Sequence, residues 1–460
     1  MVSAYEDAIR FLESFIDYEK IGGAYYTDKR EELASIKALL KRLGNPERGM
    51  KYVHIAGTKG KGSTAVMTAS IFTEAGLKTG LYTSPHLIDF RERIRIDGQM
   101  ISKEDTVTHV EELADAAIAV RNDPTVGELS FFEVYTALAF LHFRMLGCDM
   151  VLLETGLGGR LDATNIIIPR ACAITLIGHD HEYILGDTLE NIAIEKAGIL
   201  KPGVPAVMAP QPPEAEEAIN REARRIGVPI YRLIEGHHRV ATENQITYQM
   251  LETGKGKTAF SLEGIFGVHH HLESPLLGRH QITNAATAVT IAELIAKEYF
   301  ELSSDIISAG LRKIEWPGRF QIVCQEPTIV LDGAHNPESA ILLYDTIQEQ
   351  IQYDRLTIVF GGMGDHNLRA VAEVLFPVAD YVIMTKSQNP RAATPETLVE
   401  SSADLCKRYG KAPTTAEALH MAKQYAGSRD AILVTGSLYV VGEALVSLKP
   451  ELRSSKGDLL

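Results

Sequence analysis

The sequence has few cysteines, and none of them are paired by spacing. Cys148, Cys172, Cys324 and Cys406 are spread over 460 residues without a CxxC motif. A disulfide framework or a cysteine-based zinc site needs closely and regularly spaced cysteines. We therefore expect reduced thiols with structural or incidental roles, as in a cytosolic protein.

The sequence also lacks membrane signals and an excess of basic residues. No apolar run approaches the roughly 18 residues that a membrane span needs, and the N-terminal stretch MVSAYEDAIRFLESF is acidic and amphipathic, unlike a signal peptide. The formal net charge of −14 opposes a general attraction to nucleic acid or to an anionic membrane. We predict a cytoplasmic protein without nucleic-acid or membrane partners, in which local groups hold any anionic ligand.

What the sequence does contain is a regular alternation of short apolar runs and longer helical patterns. The stretches KYVHIAGT, STAVMTASIFTEAG and KTGLYTSP begin it, and this rhythm is typical of a doubly wound α/β domain with a parallel sheet. From about residue 230 to 275, short alternating stretches between Gly-rich turns predict a small β-rich appendage. The alternation restarts after WPGRF and predicts a second, Rossmann-like α/β domain, so we assign domains to residues 1–313 and 314–460.

The stretch HIAGTKGKGSTAVM resembles a P-loop in which Gly62 replaces the usual hydroxyl residue of a Walker A motif. Backbone N–H groups and a helix N-terminus can hold phosphate oxygens, Lys61 places a charge on the outer phosphates, and Ser63 can reach phosphate or a metal. The alternative is a Gly-rich turn in which Ser63 caps the helix and no ligand binds. The predicted strand before the loop and helix after it favour phosphate binding, to which Lys59 adds positive charge.

Polar residues are also predicted at the ends of two strands. Glu154 ends the run MVLLE, and Asp180 and His181 end ITLIGHDH. Ligands of such sheets gather at the carboxyl ends of the strands, and a buried carboxylate needs a cation or hydrogen-bond donors, here Mg²⁺ or, alternatively, Arg160 and backbone amides. Mg²⁺ completed by water and nucleotide oxygens would fit Glu154 and His181, although imidazole is an uncommon Mg²⁺ ligand. Chemistry alone predicts that Lys196 is exposed or snorkelling.

Several stretches follow one another in a family-specific order. They are HIAGTKGKGST, YTSPHLIDFRERIRIDG, LETGLGGRLDATN, DHEYILGDTLENIAIEKAGILKPG, GRHQITNAATAV, WPGRFQ and LDGAHNPES. Together they resemble the folylpolyglutamate synthase and dihydrofolate synthase family of Mur-like ligases, over roughly residues 20 to 440. TSPHL followed by ERI separates the folate ligases from the peptidoglycan branch.

The resemblance implies an ATP-dependent ligase that adds L-glutamate to a folate carboxylate through an acyl phosphate. The implied substrates are ATP, L-glutamate and either reduced folates or dihydropteroate, and we predict that both pteridines are used. Two Mg²⁺ ions, a carbamylated Lys196 and a K⁺ ion are the cofactors that the resemblance suggests, and it also suggests a monomer.

The resemblance assigns site residues by position. The implied ATP-binding residues are Gly60, Lys61, Gly62, Ser63, Asn284, Arg319 and Asp332. The implied metal ligands are Ser84, Glu154, His181 and Lys196, the last as an anionic carbamate. The implied pterin-side residues are Phe132, Glu133, Leu161, Asp162 and Ala163, and the implied catalytic residues are Lys61, Lys196 and His335.

The chain departs from the family pattern at two places. Lys59 stands where many bacterial members have Asn, and Asp365, His366 and Asn367 stand where members often have Asp-Lys-Asp, which puts a contact on the glutamate or acyl-phosphate side in doubt.

Two other functions are compatible with parts of the sequence. A Mur ligase acting on a peptidoglycan precursor would share the P-loop but lack TSPHL and FRERI. A nucleotide-binding module without ligase activity would need neither the strand-end Glu and His nor a second α/β domain.

Overall fold

The computed structural model describes residues 2–17, 33–236, 244–251, 256–364 and 367–455. These residues form two twisted sheets, each covered by helices. The prediction of two α/β domains is thereby confirmed. The departure from the family pattern at Asp365 and His366 lies outside the described residues.

The first sheet contains the predicted parallel core. Its strands are β1 (Tyr52–Ala56), β2 (Thr79–Tyr82), β3 (Ile94–Ile96), β4 (Gln99–Met100), β5 (Met150–Glu154), β6 (Ala171–Ile174), β7 (Ala206–Met208), β8 (Ile230–Glu235), β9 (Gln245–Met250), β10 (Thr258–Gly264) and β11 (Gly267–Ser274). Their order is β11-β10-β9-β8-β7-β6-β1-β5-β2-β3-β4. Strand β1 lies between β5 and β6 and is parallel to both, with Val53 opposite Leu152 on one side and Ala171 on the other. All five residues of β1 are buried, which explains its uninterrupted apolar run.

The predicted β-rich appendage exists, and it extends the first sheet. Strand β8 pairs in parallel with β7, with Ala206 opposite Ile230, so the added strands continue the hydrogen-bonded ladder. Beyond β9, strands β10 and β11 pair in antiparallel fashion and form the edge.

Helices cover both faces of this sheet. They are α1 (Val2–Glu13), α2 (Ala34–Arg42), α3 (Lys61–Glu74), α4 (Lys103–Arg121), α5 (Phe131–Met145), α6 (Glu182–Leu185), α7 (Leu189–Ala197), α8 (Pro213–Ile226), α9 (Arg279–Tyr299) and α10 (Ser304–Arg312), with short 3₁₀ helices at Phe90–Arg93 and Ala163–Ile166. Helices α3, α9 and α10 pack together on one face around residues such as Ile71 and Ile291. Helices α2, α4 and α5 pack on the other face around residues such as Leu113 and Phe140.

The second sheet is built from the C-terminal part of the chain. Its strands are β12 (Gln321–Gln325), β13 (Thr328–Leu331), β14 (Leu356–Phe360), β15 (Tyr381–Met384), β16 (Tyr409–Lys411) and β17 (Ala431–Thr435), in the order β12-β13-β17-β14-β15-β16. Strand β12 is antiparallel to β13, and the other pairs are parallel. The helices are α11 (Pro337–Gln350), α12 (Leu368–Leu375), α13 (Pro395–Ser402), α14 (Thr415–Tyr425) and α15 (Leu438–Ser455), with 3₁₀ helices at Phe376–Val378 and Ala403–Leu405.

Two sequence-level expectations concern the chain as a whole. The four cysteines are free thiols in the structure. Among the described helices, none combines the length and the apolar character that a membrane span requires.

Helix α10 ends at Arg312 and β12 begins at Gln321, so the chain passes from the first sheet to the second close to the predicted domain boundary at residues 313 and 314. The boundary itself stays a prediction.

Candidate active site

The P-loop has the predicted strand, loop and helix. Strand β1 ends at Ala56, Gly60 precedes the helix with a left-handed φ of 87°, and Lys61 begins α3. A Cβ atom at Gly60 would lie 2.2 Å from Asn284 Oδ1, so glycine lets α9 approach the loop closely. The reading of Ser63 as the helix cap is wrong, because Gly60 occupies that position and no side chain caps the helix. The first-turn N–H groups of α3 therefore lack partners within the helix.

Gly62, which replaces the Walker A hydroxyl residue, leaves room for two neighbours. A Cβ atom there would lie 3.1 Å from Trp316 Cζ2 and 3.3 Å from Glu154 Oε2. A larger residue would have to displace one of them. The absence of a side chain at Gly62 thus allows the Glu154 carboxylate to approach the start of α3.

Glu154 is the last residue of β5, and it is buried where it meets the P-loop. Burial raises the pKa of its carboxyl group, and the Lys61 ammonium opposes that shift. Its Oε2 atom accepts a hydrogen bond of 3.1 Å from the backbone N–H of Ser84. A buried carboxylate with this environment favours a bound cation.

Asp180 and His181 lie beside the same loop, but not at the end of a strand as predicted. Strand β6 ends at Ile174, and both residues belong to the loop that leads to α6. Thr58 and Lys59 donate their backbone N–H groups to the carbonyl oxygen of Leu176, at 2.9 and 3.0 Å. These bonds hold the loop after β6 against the P-loop.

The loop also carries a charged pair. Lys59 Nζ lies 3.6 Å from Asp180 Oδ2. Burial alone would raise the pKa of Asp180, but the Lys59 ammonium and then the His181 ring lower it to about 2, so Asp180 is ionised at neutral pH. The side chain of His181 is 44% exposed and its Nε2 atom is 3.7 Å from Asp180 Oδ1.

Lys196 is buried on α7, so the reading of this residue as exposed or snorkelling is wrong. Its Nζ atom donates a hydrogen bond of 2.8 Å to the carbonyl oxygen of Gly57, which places it behind the P-loop. Burial, and secondarily the nearby Lys61, lowers its pKa to about 7. A substantial fraction of Lys196 is therefore uncharged at neutral pH.

On the predicted pterin side, Asp162 organises a loop. Its Oδ2 atom accepts the backbone N–H groups of Gly156 and Leu157 at 2.9 and 3.1 Å, and its Oδ1 atom accepts the backbone N–H and the hydroxyl of Thr164. The ring of Phe132 packs on this loop, because a Cβ atom at Gly156 would lie 2.7 Å from Phe132 Cζ.

Glu133, by contrast, stabilises a helix. Its Oε2 atom accepts a hydrogen bond of 2.8 Å from the backbone N–H of Ser130, and its own backbone N–H donates to the Ser130 hydroxyl oxygen at 3.3 Å, which together form a capping box at the start of α5. The Ser130 hydroxyl also donates to Glu133 Oε2 at 2.7 Å. Its other carboxylate oxygen accepts the hydroxyl of Ser35.

The second sheet contributes a further carboxylate. Asp332, just after β13, accepts the backbone N–H groups of Phe320 and Ala334, both at 2.8 Å. Burial raises its pKa, and the Arg319 guanidinium opposes the shift. His335 Nδ1 lies 2.8 Å from the carbonyl oxygen of Gly333.

Most of these groups surround one continuous cavity of about 390 Å³ between the two sheets. The predicted residues that line it are Gly60, Lys61, Gly62, Ser63, Ser84, Phe132, Glu154, Asp162, Ala163, His181, Asn284, Arg319, Asp332 and His335. Glu133, Leu161 and Lys196 do not line it.

Sequence reasoning missed several lining residues. They are His280, Gln281, Met363, Arg391, Ser437 and Tyr439. His280 and Gln281 belong to the quoted GRHQITNAATAV stretch, which could have indicated them. The others lie in the second domain, Ser437 and Tyr439 at the start of α15, and no ligand-binding motif marks them.

The described residues contain no cluster of three or more His, Cys, Asp or Glu side chains that could hold a metal ion. A metal at Glu154 would therefore take most of its ligands from water and a bound nucleotide, as Mg²⁺ usually does.

Comparison with known proteins gives concordant matches. The family models "Mur ligase middle domain" and "Mur ligase, glutamate ligase domain" match residues 55–292 and 318–438. The dihydrofolate synthase/folylpolyglutamate synthase of Bacillus subtilis (strain 168) is 35% identical, covering 98% of this chain and 100% of the relative.

Solved structures are similar over the same length. The Mycobacterium tuberculosis folylpolyglutamate synthase complexed with ADP has a TM-score of 0.86 at 30% identity, covering 97% of this chain and 98% of the other. A structure described as an FPGS-AMPPCP-folate complex has a TM-score of 0.80 at 29% identity, covering 96% and 99%.

Proposed function

Because the chain belongs to the folylpolyglutamate synthase and dihydrofolate synthase family of Mur ligases, we propose that it joins L-glutamate to a folate carboxylate at the expense of ATP. The observation that carries this proposal is the cavity that both domains line, with the P-loop on one side and Arg319 and Asp332 on the other. Relatives with this fold hold ADP, or AMPPCP and folate, according to their descriptions.

The proposed reaction consists of two group transfers. An oxygen of the folate carboxylate attacks the γ-phosphorus of ATP, the bond to the bridging oxygen breaks, and ADP leaves behind an acyl phosphate. The uncharged amine of glutamate then attacks the acyl carbon, phosphate leaves with the bonding electrons, and loss of the amine proton gives the amide. The first step needs charge neutralisation and the second needs close, oriented reactants, and a cavity between two domains provides both.

We assign the ATP phosphates to the first turn of α3. Its N–H groups lack helical partners and lie at the positive end of the helix, so they suit phosphate oxygens. Lys61 and Arg319, from opposite domains, would neutralise charge on the transferred phosphoryl group. The remaining proposed nucleotide contacts are Gly60, Gly62, Ser63, Asn284 and Asp332, with His335 as the proposed catalytic histidine.

For the pterin ring we propose a wall built from Phe132 and Ala163. Both line the cavity, and an aromatic and apolar surface suits a flat ring. The carboxylate of Asp162 already accepts four hydrogen bonds from Gly156, Leu157 and Thr164, which fills its acceptor capacity. We therefore propose that Asp162 shapes this wall, and we assign no direct pterin contact to Glu133 or Leu161.

Magnesium fits the surroundings of Glu154. The carboxylate is buried and lines the cavity, and Ser84 and His181 line the same cavity. We propose that these three residues hold Mg²⁺, which when bound would neutralise charge on the phosphates.

The uncharged Lys196 amine is suited to react with CO₂ and lose a proton, which gives the carbamate that the family resemblance implies. We propose that this carbamate would bind a second Mg²⁺ ion. A K⁺ ion stays a prediction that follows from the family resemblance.

We propose the same site for both pteridine substrates. The Bacillus subtilis relative carries both activities in its name. Dihydropteroate and reduced folates share the pterin ring and differ in how far the reacting carboxylate lies from it. The two substrates would therefore bind at different depths in the same cavity.

We also propose a monomer in the cytoplasm, with the domain boundary at residues 313 and 314. The net charge of −14 opposes self-association. Sedimentation equilibrium at the monomer mass of 50.5 kDa would support this, and a dimer mass would contradict it.

The decisive experiment offers dihydropteroate, tetrahydrofolate or 5,10-methylenetetrahydrofolate to the purified protein with MgATP and L-glutamate. We expect ADP formation that requires both the pteridine and glutamate, and a product heavier by one glutamyl residue. If none of the three pteridines supports ADP formation, the folate proposal is wrong. If dihydropteroate alone supports it, the polyglutamylation part of the proposal is wrong.

The same assay distinguishes the alternatives. ADP formation with a UDP-muramoyl precursor in place of the pteridine would indicate a peptidoglycan ligase. ATP hydrolysis that needs neither co-substrate would indicate a nucleotide-binding module.

A further inference from the structure

The segment from Ser84 to Glu92 is held together by its own hydrogen bonds. Glu92 accepts the backbone N–H groups of Leu87, Ile88 and Asp89, at 2.8, 2.9 and 2.9 Å. A carboxylate that ties three successive N–H groups leaves this part of the segment little freedom to bend. A displacement of one residue in this segment therefore moves the other residues of the segment as well.

One end of the segment contacts the active site. The backbone N–H of Ser84 donates to Glu154 Oε2 at 3.1 Å, and Ser84 and Pro85 line the cavity. The position of the segment thus affects the carboxylate that lies against the start of α3.

Three residues further on, the segment contacts the second domain. Leu87 packs against the apolar cluster that contains Val441, Ala444 and Leu445. A Cβ atom at Gly442 would lie 2.2 Å from the carbonyl oxygen of Leu87, and one at Gly318 would lie 3.3 Å from both Leu87 methyl groups. We call this contact surface, formed by Gly318, Val441 and Gly442, the leucine socket.

The elements that form the leucine socket also carry active-site residues. Gly318 directly precedes Arg319. Val441 and Gly442 follow Leu438 and Tyr439 on the first turns of α15, and Ser437 directly precedes that helix. Arg319 and these three residues line the cavity. A shift of Leu87 relative to the socket would therefore move Arg319 relative to the P-loop.

We propose that Leu87 is a positioning residue, whose contact with the leucine socket sets the distance between the second domain and the phosphate loop. The inference rests on the proposed function, because its main readout is the ligase reaction. Glycine is needed at position 442 for this close approach, since alanine would normally be the better helix residue at an interior position of α15.

Two substitutions test the contact from its two sides. Gly442→Ala adds a methyl group where the Leu87 carbonyl lies, and Leu87→Ala empties the socket. We expect kcat to fall about tenfold to a hundredfold in both, because misplacement of reacting groups by about 1 Å has effects of this size. Leu87→Met, which conserves volume, should restore most of the activity.

The matched control is Ile88→Ala, because Ile88 is the next residue of the same segment and is exposed. It should keep the wild-type kcat. Melting temperatures of all variants separate positioning from folding. Those of Gly442→Ala and Leu87→Ala should fall, because a clash and a cavity cost stability, but both variants should remain folded at the assay temperature.

A distance measurement gives a readout independent of catalysis. Spin labels at Ile168→Cys and Tyr409→Cys, both exposed and in different domains, report the domain separation once Cys324 and Cys406 are replaced by Ser. The label distance should change in Gly442→Ala and stay the same in Ile88→Ala.

Wild-type kcat in Gly442→Ala and Leu87→Ala, or an activity loss fully explained by loss of folded protein, would overturn the proposal. An unchanged label distance in Gly442→Ala would do the same. Failure of the proposed function would look different, because the wild-type protein itself would then form no pteridine-dependent ADP.

Discussion

At the scale of single residues, Asp162 is held by Thr164, which in turn contacts His54, and neither of these two residues lines the cavity. Thr164 Oγ1 donates to Asp162 and lies 2.8 Å from His54 Nε2. The single hydroxyl proton goes to Asp162, so His54 must donate from Nε2. Burial lowers the pKa of His54 to about 3, so the ring is neutral at pH 7 and its proton is on Nε2.

Replacing Thr164 with Val should therefore destabilise the protein. The change leaves a buried His54 N–H without an acceptor and removes one donor to Asp162, which costs about 1–3 kcal/mol. The Tm from thermal unfolding should fall, and the KM for the pteridine should rise because the Gly156–Leu157 loop loosens. Thr108→Val is the control, since the hydroxyl of the exposed Thr108 bonds to the carbonyl oxygen of Glu104 within α4, and its loss should change stability by no more than about 0.5 kcal/mol. Equal Tm values for the two variants would contradict the role of Thr164.

A second residue-scale prediction concerns pH and Lys196. Its folded pKa of about 7 lies below the usual 10.5, so the uncharged amine becomes the major form as pH rises through 7. Between these values the unfolded state binds more protons, and this group's contribution to stability increases with pH. With dissolved ¹³CO₂ held constant, a carbamate ¹³C signal should be stronger at pH 8 than at pH 6.

The control for this measurement is Lys196→Gln, which removes the amine and leaves every other residue of the protein unchanged. Its spectrum should lack the signal at both pH values. A signal of equal strength in the variant would show that the carbamate forms elsewhere.

At the scale of elements, the two ends of α3 offer a matched pair of glycines. Gly60 has a φ of 87° and Gly76 a φ of 85°, so alanine would suffer similar backbone strain, about 1–2 kcal/mol, at either end. Only at Gly60 would the new methyl group meet another side chain, Asn284, since nothing lies within 4 Å of a Cβ atom at Gly76.

We therefore expect Gly60→Ala to lower the Tm more than Gly76→Ala, because it adds the contact with Asn284 to the same backbone strain, and we expect the two variants to differ in nucleotide binding. Gly60→Ala pushes Asn284 and the start of α3 apart, so calorimetry should show MgATP affinity at least about tenfold weaker, which corresponds to about 1.4 kcal/mol. Gly76→Ala should bind MgATP like the wild type. Equal affinities in both variants would show that the approach of α9 to the P-loop is not needed for binding.

At the scale of the whole molecule, the one tryptophan of the sequence lies where the two domains join. Trp316 falls between α10 and β12, a Cβ atom at Gly62 would lie 3.1 Å from its Cζ2 atom, and the Arg95 guanidinium lies 5.9 Å from its ring centre. Its surroundings must change if the P-loop takes up phosphate or if the domains move.

MgATP should consequently change the tryptophan fluorescence in a saturable way, with the same Kd as calorimetry gives. Trp316→Phe should abolish the emission change while MgATP still binds. Calorimetric binding by the wild type without a fluorescence change would refute the placement of the phosphates beside Gly62.

The local properties of this protein could be read from its sequence. Apolar runs and their periodicity predicted both α/β domains, and the glycines before Lys61 predicted a phosphate-type loop, because the tendency of a segment to form a strand or a tight turn depends on its own residue types. The order of the motifs indicated the family, and most of the predicted site residues meet in one cavity.

Contacts between distant parts of the chain were decided only by the tertiary structure. Lys196 looked like a surface lysine, yet α7 carries it behind Gly57, and Glu133 stood in a motif but caps α5. The loop after β6 reaches the P-loop, and Leu87 meets Gly442 although 355 positions separate them in the sequence. The burial of a side chain, its pKa and the distance between the domains are set when elements far apart in the chain pack together. The periodicity within one element does not determine which other element it will contact.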